Sequence, residues 1–290
     1  MHTKSTGYKI FLTINTVFMA LICIICLYPF LYMLFLSISD VKAVIAGKVL
    51  FYPIGFDLNA YKVIMTYPNF FISYWNTIFY TVAGTAIALL MTITFAYPLS
   101  KPYLKGRVFL MDMVIFTMFF TGGIVPNFLL LSSLHLTNTI WAYLLPFAIG
   151  PFNLIILTNF FKTLPESIEE AARIDGMSFF GILTKIVLPL SKPAIATITL
   201  FVAVFFWNDW FYGMIYMSSS NRYPVMLILR NIVSGNSIIG AAAGSGDADT
   251  VVYSTLKSAT SILTILPIMA LYPFLQRYFI TGLTLGSVKG

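Results

Sequence analysis

The places where this chain carries no charge constrain it most. No Asp, Glu, Lys or Arg occurs between Lys9 and Asp40, between Lys62 and Lys101, or between Asp112 and Lys162. A charge at the centre of a bilayer costs several kcal/mol, whereas Leu and Phe gain from insertion, so such gaps mark membrane crossings. One crossing takes about 20 apolar residues. The first gap predicts a helix near 10–38. The second predicts an amphipathic start over 61–74 lying at the interface and a span over 75–99. The third is about twice what one crossing needs, and Ser132-Ser-Leu-His-Leu-Thr-Asn138 punctuates it. It therefore predicts two helices, near 109–131 and 139–161, joined by a short turn. A fifth span near 193–217 contains Asp209, and a sixth runs near 252–278. The fold class is all-α membrane protein with six transmembrane helices.

Composition agrees. The chain is 59% apolar and 9% charged, against roughly a quarter charged in a soluble domain. Its 290 residues leave no room for a further large soluble domain. The first apolar run is too long for a removable signal peptide and lacks its small-residue cleavage site. Cys23 and Cys26 lie inside that run, without the polar surroundings that a redox or metal pair requires, and read as packing residues.

The net charge of +7 is a matter of topology rather than nucleic-acid binding. Eleven basic residues fall on one side of the predicted spans: Lys4, Lys9, Lys101, Lys105, Arg107, Lys162, Arg173, Lys185, Lys192, Arg277 and Lys289. Six fall on the other: Lys42, Lys48, Lys62, Arg222, Arg230 and Lys257. The richer side is the cytoplasmic one, which places both termini in the cytoplasm. Outer segments near 40–72 and 218–251 are large enough to contact a partner and too small to be enzymes.

The loop between the fourth and fifth predicted spans is more than a connector. Pro165 at a first helical turn, followed by Glu166, Glu169 and Glu170, puts carboxylates where the helix dipole favours them. Ile168, Ala171, Ala172 and Ile174 give this short helix an apolar side, and Gly176 ends it. A second amphipathic segment, Met177 to Val187, is closed by Pro189. Small alanines on such a helix allow another protein's backbone to approach closely.

Glu170-Ala171-Ala172, Gly176, Ile186, Leu188 and Pro189 match, at every specified position, the EAA motif of ABC importer permeases: EAA, three residues, G, nine residues, I, one residue, LP. The resemblance extends to Gly150-Pro151 in the fourth helix, Phe206-Trp-Asn-Asp-Trp210 in the fifth and the tail Thr281–Gly290. Together these resemble the maltose-type sugar permeases, in particular their MalG-like half. The stretch Phe119-Phe-Thr-Gly-Gly-Ile-Val-Pro126 is similar to the branch associated with aldouronate or other complex oligosaccharides.

The resemblance implies a type I ABC importer permease (MetI-like) fold in the cytoplasmic membrane of a prokaryote. Its parts would be a first helix with its outer loop over 1–71, a permease core over 72–282 and a cytoplasmic tail over 283–290. The loop over 165–189 would hold the coupling helix, with Glu170, Ala171, Ala172, Asp175, Gly176, Ile186, Leu188 and Pro189 as the ATPase-coupling residues. The implied partners are a second, MalF-like permease, two cytoplasmic ATPase subunits, an extracytoplasmic solute-binding protein, the carbohydrate and the lipid bilayer. No nucleic acid is among them. ATP-driven closure of the ATPase dimer would move the coupling helices as levers. Leu285 to Gly290 would reach between the ATPase subunits, or form a plain polar tail.

Asn208, Asp209 and Trp207, set among Trp210, Phe211 and Tyr212, are candidate substrate-pathway residues together with Gly150, because sugars are held by aromatic faces, carboxylates and amides. The same residues would serve as a helix-packing hydrogen bond and an interfacial aromatic belt. Asp112 reads as an interfacial carboxylate and His135 as a solvated turn residue. Gly122-Gly123 with Pro126, like Gly150-Pro151, frees backbone groups that protein or water must satisfy. Gly244–Asp249 lacks the spacing and closing Glu of a calcium loop. The sequence contains no phosphate-binding G-x-x-x-x-G-K-[ST], no H-E-x-x-H and no G-x-S-x-G. The chain thus predicts a transport subunit without a cofactor of its own, with Mg-ATP held by the partner ATPase. An ion-coupled secondary transporter or channel would show intramembrane charge pairs and inverted repeats. Neither pattern is clear.

Overall fold

The computed structural model describes residues 6–234 and 254–270, and every regular element among them is helical. Residues 6–68 group with 229–234 and 254–266 in one compact unit, and residues 69–228 with 267–270 in another.

In the first unit, α1 (Thr6–Ser37) fills the first charge gap, and the long apolar window within it is unburied by the chain itself. Cys23 and Cys26 are free and exposed on it. Lipid is the solvent such a surface requires. The segment after α1 folds back on the helix end. Ser39 Oγ accepts from the Ile54 amide at 3.1 Å, and the Asp40 amide donates to Ile54 O at 3.0 Å. The Ser37 hydroxyl pairs with the Tyr61 hydroxyl at 2.9 Å. Short helices α2 (Val41–Ile45) and α3 (Asn59–Thr66) belong to this segment.

In the second unit, α4 (Phe70–Ser100) begins five residues before the expected start of the span and runs unbroken for 31 residues. Asn69, in the left-handed region at φ 63°, separates it from the preceding turn. Pro102 forces the residue before it out of helical geometry, so Lys101 is extended (ψ 131°) and α4 stops there.

The expected span at 109–131 is not one straight helix. It is α5 (Arg107–Phe119) and α6 (Ile124–Ser133), bent by 111° at the glycine pair. The fourth is α7 (Ile140–Phe147) and α8 (Pro151–Lys162), bent by 45° where Gly150 precedes a proline that has no N–H to give. The loop helices are α9 (Glu166–Ile174) and α10 (Phe179–Leu190), and α10 turns through 82° into α11 (Lys192–Asn208). The fifth expected span ends at Asn208, and a separate α12 (Phe211–Tyr216) follows. Beyond it lies α13 (Val225–Val233).

Among the described residues, two helices are long and apolar enough to cross a membrane, and each of the three bent pairs passes the same test taken as one span, which makes five. Of the expected sixth, the described part is α14 (Ser254–Ala270), 17 residues long. Residues 271–278 of that span, Gly244–Asp249 and the tail Thr281–Gly290 lie outside the described residues.

The core of the second unit forms around α4, which packs along both α8 and α11. Tyr80, Ala88, Ala96, Tyr143, Leu157, Phe161, Ile198 and Phe206 are buried in one cluster. Gly84 sets the α4–α11 spacing: a Cβ there would lie 2.4 Å from the Phe206 ring.

Candidate functional site in the 165–189 loop and at the α11–α12 joint

α9 presents an unusual pair of faces. Its inward residues are Glu169 and Ala172, while Glu170, Ala171, Arg173, Asp175 and Gly176 are exposed. The expected apolar side is therefore divided: Ala172 packs inward, but Ile168 is turned out and Ile174 is 87% exposed. Phe180, just beyond, is 75% exposed. A polar helix that holds isoleucine out to water, beside exposed small residues, has the make-up of a docking surface.

The turn after α9 follows from one glycine. Gly176 sits at φ 77°, and its amide donates to Arg173 O at 2.9 Å while the Met177 amide donates to Ala172 O at 2.9 Å. This is a left-handed helix C-cap, where a side chain is strained even though the space around Gly176 is open. Ser178 then caps α10, its Oγ accepting from the Gly181 amide at 3.2 Å. Pro165 lies one residue outside α9 rather than in its first turn.

The second half of the motif forms a bend. Leu183–Val187 is wound as a π-helix, and Ile186 lies within it. The helix runs past Pro189 to Leu190, one residue beyond the expected stop, and breaks at Ser191, whose amide is shared between Val187 O and Leu188 O. Pro189 and Pro193 each lack an N–H to donate, which accounts for the loosened winding and the 82° turn.

Sequence reasoning singled out Glu170 for coupling and read Glu169 only as a carboxylate favoured by the helix dipole. The Glu169 carboxylate forms a buried ion pair with Lys101, the residue at the end of α4, and accepts from the Tyr97 hydroxyl at 3.2 Å. The Lys101 ammonium also lies 4.7 Å from the Tyr97 ring centroid. Arg173 ties the exposed side of α9 to the same corner: it donates to the Tyr103 hydroxyl at 3.0 Å and stacks over the Tyr103 and Phe179 rings at 5.0 and 5.1 Å. Partial burial raises the Tyr103 phenol above its ordinary range despite the Arg173 charge.

At the α11–α12 joint the candidate pathway residues separate. Asp209 is buried, and its carboxylate accepts from the backbone amides of Tyr212 at 3.2 Å and Gly213 at 3.1 Å. It is the capping carboxylate of α12, which the Asn-Asp interruption in an apolar run could have signalled. Trp207 is also buried and meets Tyr74 edge-on at 6.0 Å. Asn208 is the exposed member, its Nδ2 donating to Val204 O at 2.9 Å. Gly150 is half-buried at the start of α8, where its carbonyl accepts from the Leu154 amide. Asp112 and His135 are both exposed, His135 on the turn at φ 55°.

Residues 105–285 match the family model described as binding-protein-dependent transport system inner membrane component. The chain is 41% identical to Protein LplC of Bacillus subtilis (strain 168), over all of this chain and 98% of that protein. It is 42% identical to the polygalacturonan/rhamnogalacturonan transport system permease protein YtcP of the same organism, over 94% of this chain and 96% of that one. A solved chain from a bacterial ABC transporter that imports the acidic polysaccharide alginate superposes with a TM-score of 0.88 at 35% identity, covering 96% of this chain and 100% of that chain.

Proposed function

The chain belongs to the family of binding-protein-dependent transport system inner membrane components, and on that premise we propose that it is a permease subunit of an ATP-binding cassette importer that carries a carbohydrate across the cytoplasmic membrane. The observation that carries this reading is α9, which turns Glu170, Ala171 and Ile174 outward while Glu169 holds its inner face to α4. The exposed face is the docking surface for a separate ATPase subunit. Two ATPase subunits hold Mg-ATP, a second permease completes the path, and an extracytoplasmic binding protein delivers the substrate. Lys101, Arg107 and Lys162 line one cleft beside the end of α4, and their charge, with Lys105 and Arg173 in the loops on the same side of the predicted spans, supports placing that end and both termini in the cytoplasm.

The substrate class follows from the relatives. YtcP is named for polygalacturonan and rhamnogalacturonan, and the solved transporter imports alginate. Both kinds of polymer are acidic, which supports an oligosaccharide bearing uronic acid. Asn208, exposed at the end of α11 beside a buried tryptophan, is the pathway residue this reading favours.

Uptake in reconstituted vesicles tests the proposal. It should require the ATPase, and Glu170→Trp or Gly176→Trp should abolish co-purification of the ATPase subunits and uptake together. Transport that persists without an ATPase, or normal assembly of both variants, would remove the importer reading. A thermal-shift screen of the cognate binding protein should give stabilisation by acidic rather than neutral oligosaccharides.

A further inference from the structure

We infer that the buried Lys101–Glu169 pair is the joint through which α9 drives α4, which makes Lys101 and Glu169 positioning residues for transport. The inference rests on the coupling reading above and assigns which helix takes the load and through which atoms.

Three observations carry it. The first is saturation. Lys101 and Glu169 are 6% and 5% exposed, and the carboxylate is held on one oxygen by the ammonium and on the other by the Tyr97 hydroxyl. Charge-assisted bonds shielded from water fix both distance and direction, and separating them leaves two unpaired charges in a low-dielectric site. The second is what surrounds the pair. The other inward residue of α9 is Ala172, whose packing is non-directional and permits sliding. A cavity of about 210 Å³, lined by Ser100, Lys101, Arg107, Phe161 and Glu166 among others, lies where the start of α9 approaches the end of α4. The directional contacts at this corner are therefore the buried ion pair and, on the exposed side of α9, the Arg173–Tyr103 hydrogen bond. The third is what α4 holds: it packs along both α8 and α11, so a displacement of its end is delivered to the centre of the bundle. Tyr97 is part of α4 itself, so the carboxylate grips the helix on its last turn as well as at the residue that follows it.

The experiment uses the assembled importer in proteoliposomes, with its ATPase, partner permease and binding protein, and reads uptake and ATP hydrolysis in parallel. Glu169→Gln should co-purify with the ATPase subunits and hydrolyse ATP within about twofold of the parent, while uptake per ATP falls about tenfold. Lys101→Arg should keep uptake per ATP near the parent value. The charge swap Lys101→Glu with Glu169→Lys should recover most of what either single change loses. If Glu169→Gln leaves uptake per ATP unchanged, or if uptake and hydrolysis fall only in proportion to lost complex, the joint is refuted. Should Glu169→Gln fail to assemble, an assembled charge swap with uncoupled hydrolysis refutes it equally. These failures differ from that of the importer reading, in which the parent complex itself would show no ATP-dependent uptake.

Discussion

Glu169 faces inward and Glu170 outward because each residue step in a helix turns the side chain by about 100°. Their substitutions should therefore differ. Removing one partner of a buried pair costs about 3–5 kcal/mol, so Glu169→Gln or Lys101→Met should lower the thermal unfolding midpoint in detergent clearly. Glu170→Gln, at an exposed site, should stay within about 0.5 kcal/mol of the parent while weakening ATPase binding. Asp209 offers a second contrast. Asp209→Ala removes the acceptor for two backbone amides and should cost about 1–2 kcal/mol of stability, whereas Asn208→Ala should leave stability unchanged and reduce uptake. Equal stability for both variants would mean that the cap does not hold α12. The motif singled out Glu170, and polarity in an apolar run singled out Asp209, as a pathway candidate rather than as a cap. The pairing of Glu169 was not legible, since its partner Lys101 lies 68 residues away and no local signal joins them.

At the scale of elements, breaks tell more than lengths. The glycine pair at 122–123 and the Gly150-Pro151 step were readable as weak points, and the chain bends at both. What could not be read was the amount, 111° against 45°, because a glycine frees the backbone without fixing which dihedral angles it adopts. Gly176→Val should strain the left-handed cap by about 1–2 kcal/mol. It should re-aim α10 and reduce ATPase co-purification more than it lowers stability. Gly84→Leu tests the α4–α11 contact. Forcing a side chain against Phe206 should cost about 1–3 kcal/mol, and the pair Gly84→Ala with Phe206→Leu should be milder. Differential scanning of the purified complex measures both.

For the whole molecule, the proposed orientation is open to direct chemistry. Cys23 and Cys26 are exposed and free, so replacing both by Ala should cost little and give a cysteine-free background. In intact cells an impermeant maleimide should label Ser133→Cys, at the end of α6, and should reach Lys105→Cys only after permeabilisation. The reverse pattern would invert the topology. Membrane class, the charge-free crossings and the motif loop were all determined by the sequence alone. Each follows from a cost paid locally: a charge in lipid, a proline without its N–H, a residue at positive φ. Only the tertiary structure decided that Glu169 turns in to Lys101 while Ile174 turns out, that Trp207 is buried while Asn208 is exposed, and that α4 is the helix the loop grips. Those outcomes depend on groups far apart in the chain, which desolvate one another only once the helices have packed, and no local pattern of residues encodes that meeting.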